Sequence, residues 1–180
     1  MTSIIKVDQI QTAAGTSVMS FDSSGNVVQQ QPVIGFQVNR GAAYYDHSNN
    51  TIVQYNAVDS NGGLNINGCW DTSTYKFTAP RNGTYQFYAQ AMIGGTDEYT
   101  RSANMNLVIN GSAINSLFVG RNHAAAPSAG SYLRVSGTWL VQLNSNDLVN
   151  FNMGWETDGT IDAVEAIHYH GTYAYGYLIG

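Results

Sequence analysis

Histidines, carboxylates and a single thiol are the residues through which this 180-residue chain could do chemistry. His168 and His170 stand two apart, so on a strand they share one face. A metal centre needs a third and a fourth ligand. Two surface imidazoles are the plainer reading. Glu156, Asp158, Asp162 and Glu165 crowd the stretch from Trp155 to Ala166. Hard oxygens in a loop suit calcium, which makes Glu156, Asp158 and Asp162 the metal candidates. Their spacing does not follow an EF-hand loop, and a solvated acidic loop accounts for them. Asp97 and Glu98 are adjacent, so on a strand they point apart, a poor arrangement for a glycosidase pair. His47 and His123 belong to no nucleophile–base motif, and neither Gly-x-Ser-x-Gly nor a Walker loop occurs. No catalytic set, resident metal or cofactor is expected, and the chain reads as a non-enzyme. Cys69, between Gly68 and Trp70, reads as a small buried hydrophobe. As the only cysteine it excludes a disulfide within the chain.

Composition narrows the classes further. Charged residues are 11% of the chain and aromatics 12%, with 12 tyrosines. A disordered chain shows the opposite balance. The abundant Ala, Glu, Lys and Leu of a long coiled coil are missing. No run of about 18 apolar residues is present to cross a membrane as a helix. A net charge of −5 leaves no basic patch to neutralise phosphates, which argues against nucleic acid. The first residues lack a basic segment followed by an apolar one, so synthesis in a cytoplasm without a signal peptide is expected.

The elements that would carry such residues are strands. From Val33 onward, short alternating runs are separated by turn residues. Thr51 to Val58 alternates throughout. Thr84 to Met92 places Tyr85, Phe87, Ala89 and Ala91 on one face. Met105 to Ile109 ends at Asn110-Gly111, a strong hairpin signal. Tyr132 to Leu143 and Asp147 to Met153 read as a second hairpin across Asn144-Ser145-Asn146. Eight to ten strands at this spacing suit a sandwich or jelly roll. Pro127 stops the one helical candidate, Ala124-Ala125-Ala126. Residues 1–31 differ: they hold no Tyr or Trp and one Phe, and are too thin in apolar residues to fold alone. The chain thus reads as an extended N-terminal anchoring arm, 1–31, and a head, 32–180.

The stretch Phe77-Thr78-Ala79-Pro80-Arg81-Asn82-Gly83-Thr84-Tyr85-Gln86-Phe87 resembles the signature of the C1q/tumour-necrosis-factor-like family: an aromatic, a Pro, a Gly, then alternating aromatics. Gly35-Phe36-Gln37-Val38 is similar to that family's first strand. Ser136 to Val149 is similar to its long strand, turn and return, and Gly176-Tyr177-Leu178-Ile179 to its closing strand. The order is kept over residues 33–180. Two departures stand out: there is no collagen-like Gly-X-Y stalk, and Ala174-Tyr175 inverts the usual aromatic–small order before the last strand. The resemblance implies an all-β, ten-stranded jelly roll that forms a homotrimer about an aromatic-lined axis. It makes Phe77, Tyr85, Phe87, Trp139, Tyr175 and Tyr177 the seam and core residues.

The arm, through Ile5-Lys6-Val7-Asp8-Gln9-Ile10-Gln11 and Asp22-Ser23-Ser24-Gly25-Asn26-Val27, resembles the N-termini of structural proteins of tailed phages, notably those of cyanobacteria. The two resemblances together imply a virion protein: a trimeric capsid decoration (cement) protein on the capsid surface. Its arm would bind the major capsid protein through Ile4, Ile5, Val7, Ile10, Val18 and Phe21. The alternative is the receptor-binding tip of a tail or head fibre, with exposed loops such as Gly41 to Asp46 and Gly120 to Ser131 recognising a host surface glycan.

Overall fold

The structure, a computed structural model, describes residues 9–11, 13–14, 17–21, 23–28, 34–41, 44–58, 63–94, 100–114, 118–120, 132–157 and 165–179. The chain forms two compact units, Met1–Val33 and Ile34–Gly180.

The first unit is a three-stranded antiparallel sheet in the order β1-β2-β3, from β1 (Gln9–Gln11), β2 (Ser17–Phe21) and β3 (Val27–Val28). The expected extended arm is therefore a meander. Each piece is extended, but turns at residues 13–14 and 23–25 reverse the chain, the second with Gly25 at φ +83°, where a side chain would be strained. The register sets Ile10 opposite Met19 and Phe21 opposite Val27. Val18 falls at the other parity, with Ser20. Ile4, Ile5 and Val7 lie outside the described residues.

The second unit packs two antiparallel sheets. Its segments are β4 (Gly35–Asn39), β5 (Tyr44–His47), β6 (Thr51–Ile52), β7 (Ala57–Val58), β8 (Trp70–Asp71), β9 (Lys76–Thr78) and β10 (Gly83–Gly94). There follow β11 (Thr100–Ile109), β12 (Ser112–Ile114), β13 (Phe118–Gly120), β14 (Tyr132–Leu143), β15 (Leu148–Thr157) and β16 (Glu165–Leu178). One sheet runs β14-β10-β16-β4-β7, with β5 also on β16; the other runs β12-β11-β15-β9-β8, with β13 on β11 and β6 on β15. The only helical piece among the described residues is a single 3₁₀ turn, Ile66–Gly68. This is the all-β jelly roll that the alternation indicates.

The core lies between the sheets and is aromatic. Phe36, Tyr85, Phe87 and Trp139 reach in from one sheet, and Trp70, Phe77 and Phe151 from the other; all are buried. Ring centroids are 4.6 Å apart for Phe36–Trp70, 5.3 Å for Phe77–Phe87 and 5.8 Å for Trp139–Phe151, mostly offset or edge-on, the favoured geometries. Cys69 is buried beside them, its thiol donating to the Gly35 carbonyl at 3.5 Å, and burial pushes that thiol above its ordinary pKa.

Two strand readings need correction. Thr51 to Val58 is not one strand. Thr51–Ile52 pairs with β15 in one sheet and Ala57–Val58 with β4 in the other, so the chain crosses between them while Val53 and Tyr55 stay buried. Alternation persists because both sheets share one interior. Nor do β14 and β15 pair with each other. β14 pairs with β10, and β15 with β11 and β9. Asn144-Ser145-Asn146 is a corner between sheets, as is Pro80–Asn82 between β9 and β10. The two corners clasp: Asn146 N–H donates to Ala79 O (2.8 Å), Ala79 N–H to Asp147 O (2.9 Å) and Ser145 N–H to Asn82 Oδ1 (2.7 Å). The Asn110-Gly111 hairpin is real. Ile109 pairs with Ser112, and both turn residues have positive φ, 50° and 84°, as a type I′ turn requires.

Candidate functional site

Alternation along β10 sends Tyr85, Phe87, Ala89 and Ala91 inward, which leaves Thr84, Gln86, Tyr88 and Gln90 on the outer face of the sheet. The neighbouring strands add Tyr173, Tyr175 and Tyr177 from β16, Gln37 and Asn39 from β4, and Arg134, Ser136, Thr138, Leu140 and Gln142 from β14. Of the residues just named, Arg134 alone carries a charge. Tyr88 lies directly across from Tyr175, and Gln90 from Tyr173. Tyr88 stacks on both tyrosines, with centroids 5.1 Å from Tyr175 and 5.6 Å from Tyr173.

The polar ends of Tyr88 and Tyr173 are held. Tyr88 O–H donates to Gln90 Oε1 at 2.9 Å, and Gln90 Nε2 donates to Gly171 O at 2.8 Å. Gly171 has φ +79° next to a register shift between β10 and β16, so the backbone there bends to present its carbonyl. Burial, reinforced by its hydrogen bond to the Tyr88 hydroxyl, pushes the Tyr173 phenol up to about 12. Asn39 Oδ1 is buried in the same region and has no hydrogen-bond partner among the described residues. Further along, Leu140 is 66% and Tyr177 42% exposed, on either side of Gln86. The result is a surface of stacked phenols, amides and one exposed leucine. It offers area and hydrogen bonds to another surface, and no nucleophile–base pair.

The sequence-derived seam and core residues divide between two places. Phe77, Tyr85, Phe87 and Trp139 are in the interior of the single chain; Tyr175 and Tyr177 are on the outer face. Tyr55, one of the many tyrosines of the head, is interior too, its hydroxyl donating to Gln90 O at 3.1 Å. Tyr88, Tyr173 and Gln90 belong with the outer group. The parity of Tyr85-Gln86-Phe87-Tyr88 is the signal that assigns them there. The Ala174-Tyr175 inversion has the same origin: Ala174 is buried against the core and Tyr175 faces out.

Of the metal candidates, Glu156 lies in β15, while Asp158 and Asp162 are outside the described residues. His168 and His170 lie in β16, and His47 in β5. Among the described residues no group of three or more His, Cys, Asp or Glu is placed to hold a metal ion. Asp97, Glu98, His123 and most of Gly120–Ser131 fall outside the described residues. Of the arm residues, Ile10 is 44% and Phe21 38% exposed.

The sequence profile of the C1q domain matches residues 35–179, and the chain belongs to that family. Among solved structures it is similar to the globular domain of zebrafish complement 1qA protein, with 20% identity, a TM-score of 0.60, and coverage of 82% of this chain and 98% of that one. It is also similar to Eiger TNF from S. frugiperda, with 9% identity, a TM-score of 0.56, and coverage of 83% and 94%. At these identities the likeness is one of fold. No curated protein matches.

Proposed function

We propose that this protein is a homotrimeric, non-catalytic binding protein, and specifically a virion decoration protein that attaches to the major capsid protein through residues 1–33. The observation that carries this reading is the division into a C1q head and a separate small sheet whose apolar residues, Ile10 and Phe21, are exposed. A single small sheet has no second layer of its own to cover an apolar face. Such a sheet suits attachment, either by covering its apolar face or by adding strands to an exposed edge of a partner. The virion assignment rests on the resemblance of this segment to phage structural N-termini. Trimerisation would use the outer face built on Tyr88, Tyr173 and Tyr175, since stacked tyrosines bury large area while keeping their hydroxyls bonded. Three attachment sheets on one trimer then multiply weak contacts by avidity.

The test is direct. Purified protein is mixed with undecorated capsids and with host surface glycans. Decoration predicts saturable capsid binding that raises capsid heat resistance, and loss of that binding on deleting residues 1–33. Glycan binding by the head, with no capsid binding, would replace the decoration reading with that of a fibre tip.

A further inference from the structure

The sequence contains four Asn-Gly pairs, at Asn61, Asn67, Asn82 and Asn110. Asn-Gly is the dipeptide in which the following backbone nitrogen meets least steric resistance on approaching the asparagine side chain. The described residues place three of these pairs in turns, in very different settings. Asn110 is held at both ends of its amide: Nδ2 donates to Asp147 Oδ1 at 2.8 Å, and Oδ1 accepts from Leu148 N–H at 2.9 Å. Its own N–H also donates to Leu148 O, at 2.9 Å. Asn82 Oδ1 accepts from Ser145 N–H at 2.7 Å, and Gly83 is buried where it opens β10 opposite Leu143.

Asn67 differs on every count. Asn67 and Gly68 are both exposed, and no described residue bonds the Asn67 amide. Asn67 has φ 57° and ψ 22°, a left-handed conformation, and Gly68 follows at φ +61°. The bonds that close this 3₁₀ turn are long, Gly68 N–H to Asn65 O at 3.3 Å and Cys69 N–H to Ile66 O at 3.4 Å. Both lie beyond the usual N–H···O range, so the turn opens locally at little cost.

We infer that Asn67 is the head's site of spontaneous deamidation among these three pairs. The Gly68 nitrogen, losing its proton, bonds to Asn67 Cγ. The Cγ–Nδ2 bond breaks and the amide nitrogen leaves as ammonia, carrying that proton. Water then opens the cyclic imide at either carbonyl, giving aspartate or isoaspartate. Either product adds a negative charge. Isoaspartate also adds a backbone atom just before Gly68, one residue short of Cys69 and Trp70, which are buried in the core, and close in sequence to Asn65, whose side chain bonds both the N–H and the carbonyl of Trp70. Chemical ageing of this turn is therefore transmitted to the aromatic core.

The experiment incubates the intact protein in mildly alkaline buffer and quantifies each site by peptide mass spectrometry over time, with fragment ions separating Asn67 from Asn61. Asn67 is expected to convert about tenfold or more faster than Asn82 and Asn110, the ratio that one or two net hydrogen bonds sustain. In denaturant the three rates should converge. In Asp147→Ala, Asn110 should speed up while Asn67 does not. Equal or faster conversion at Asn82 or Asn110 in the native protein overturns the inference. So does a ranking that persists in denaturant, which would place its cause in the local sequence rather than the fold.

Discussion

Phe87 touches both halves of the sandwich: its ring is 5.3 Å from Phe77 and 6.2 Å from Phe151, across the gap between sheets. Truncation to alanine removes that bridge, and Phe87→Ala is expected to destabilise the head by about 3–5 kcal/mol in chemical denaturation. Gly176 lies beneath the same ring. A Cβ there would overlap Phe87 and sit 2.8 Å from Phe36 Cε1, so Gly176→Ala should cost about 1–3 kcal/mol by overpacking. Tyr173 sets an alkaline limit. Its phenol binds its proton more tightly folded, near 12, than at its ordinary value of 10.0. The stability it contributes is complete below pH 10 and is lost as pH rises toward 12. A Tyr173→Phe variant should therefore show a shallower loss of thermal midpoint over that range. An unchanged slope would place the titrating group elsewhere.

At the level of elements, the corners matter more than the strands. The β9–β10 and β14–β15 corners and the β11–β12 hairpin meet at one end of the sandwich, where Asp147 accepts from Asn144 N–H at 2.7 Å and from Asn110 Nδ2 at 2.8 Å. These bonds hold its carboxyl below the ordinary carboxylate range. Asp147→Ala should lower the thermal midpoint at neutral pH, and its difference from the parent should shrink as pH falls through the carboxylate range, where the parent loses the same bonds. The corners also mark where reading from sequence stops. Tyr85-Gln86-Phe87-Tyr88 states its two faces by parity, and the Phe77–Phe87 signature gives the family. Alternation does not say which sheet a strand joins. Thr51 to Val58 keeps one pattern while changing sheets, and Asn144–Asn146 carries ordinary hairpin residues at a corner. Partner choice is decided by long-range packing of Val53, Tyr55 and Trp139, which no local window contains. For the same reason the tyrosines of the core and of the outer face look alike in composition.

For the whole molecule, the tyrosine-rich outer face and the N-terminal sheet make independent predictions. Residues 34–180 alone should remain folded, with a cooperative thermal transition and a β-sheet circular dichroism spectrum. They should keep the oligomeric mass of the full chain by light scattering, expected to be that of a trimer. Leu140→Lys with Tyr175→Lys places like charges on the proposed seam and should give a folded monomer. A trimer that survives both substitutions would move the seam to another surface. The strand order carries a last consequence, for the timing of synthesis. β16, the final strand of the head, is not an edge; it pairs with β10 on one side and with β4 and β5 on the other. Those partners emerge from the ribosome long before residues 165–178 do. Until then β4 and β10 lack a shared neighbour, and the nascent head presents open strand edges that invite pairing between chains. Such a topology is slow to fold and sensitive to crowding on polysomes. Yield of native protein should therefore depend on how quickly the last strand is delivered and on what guards the chain while it waits.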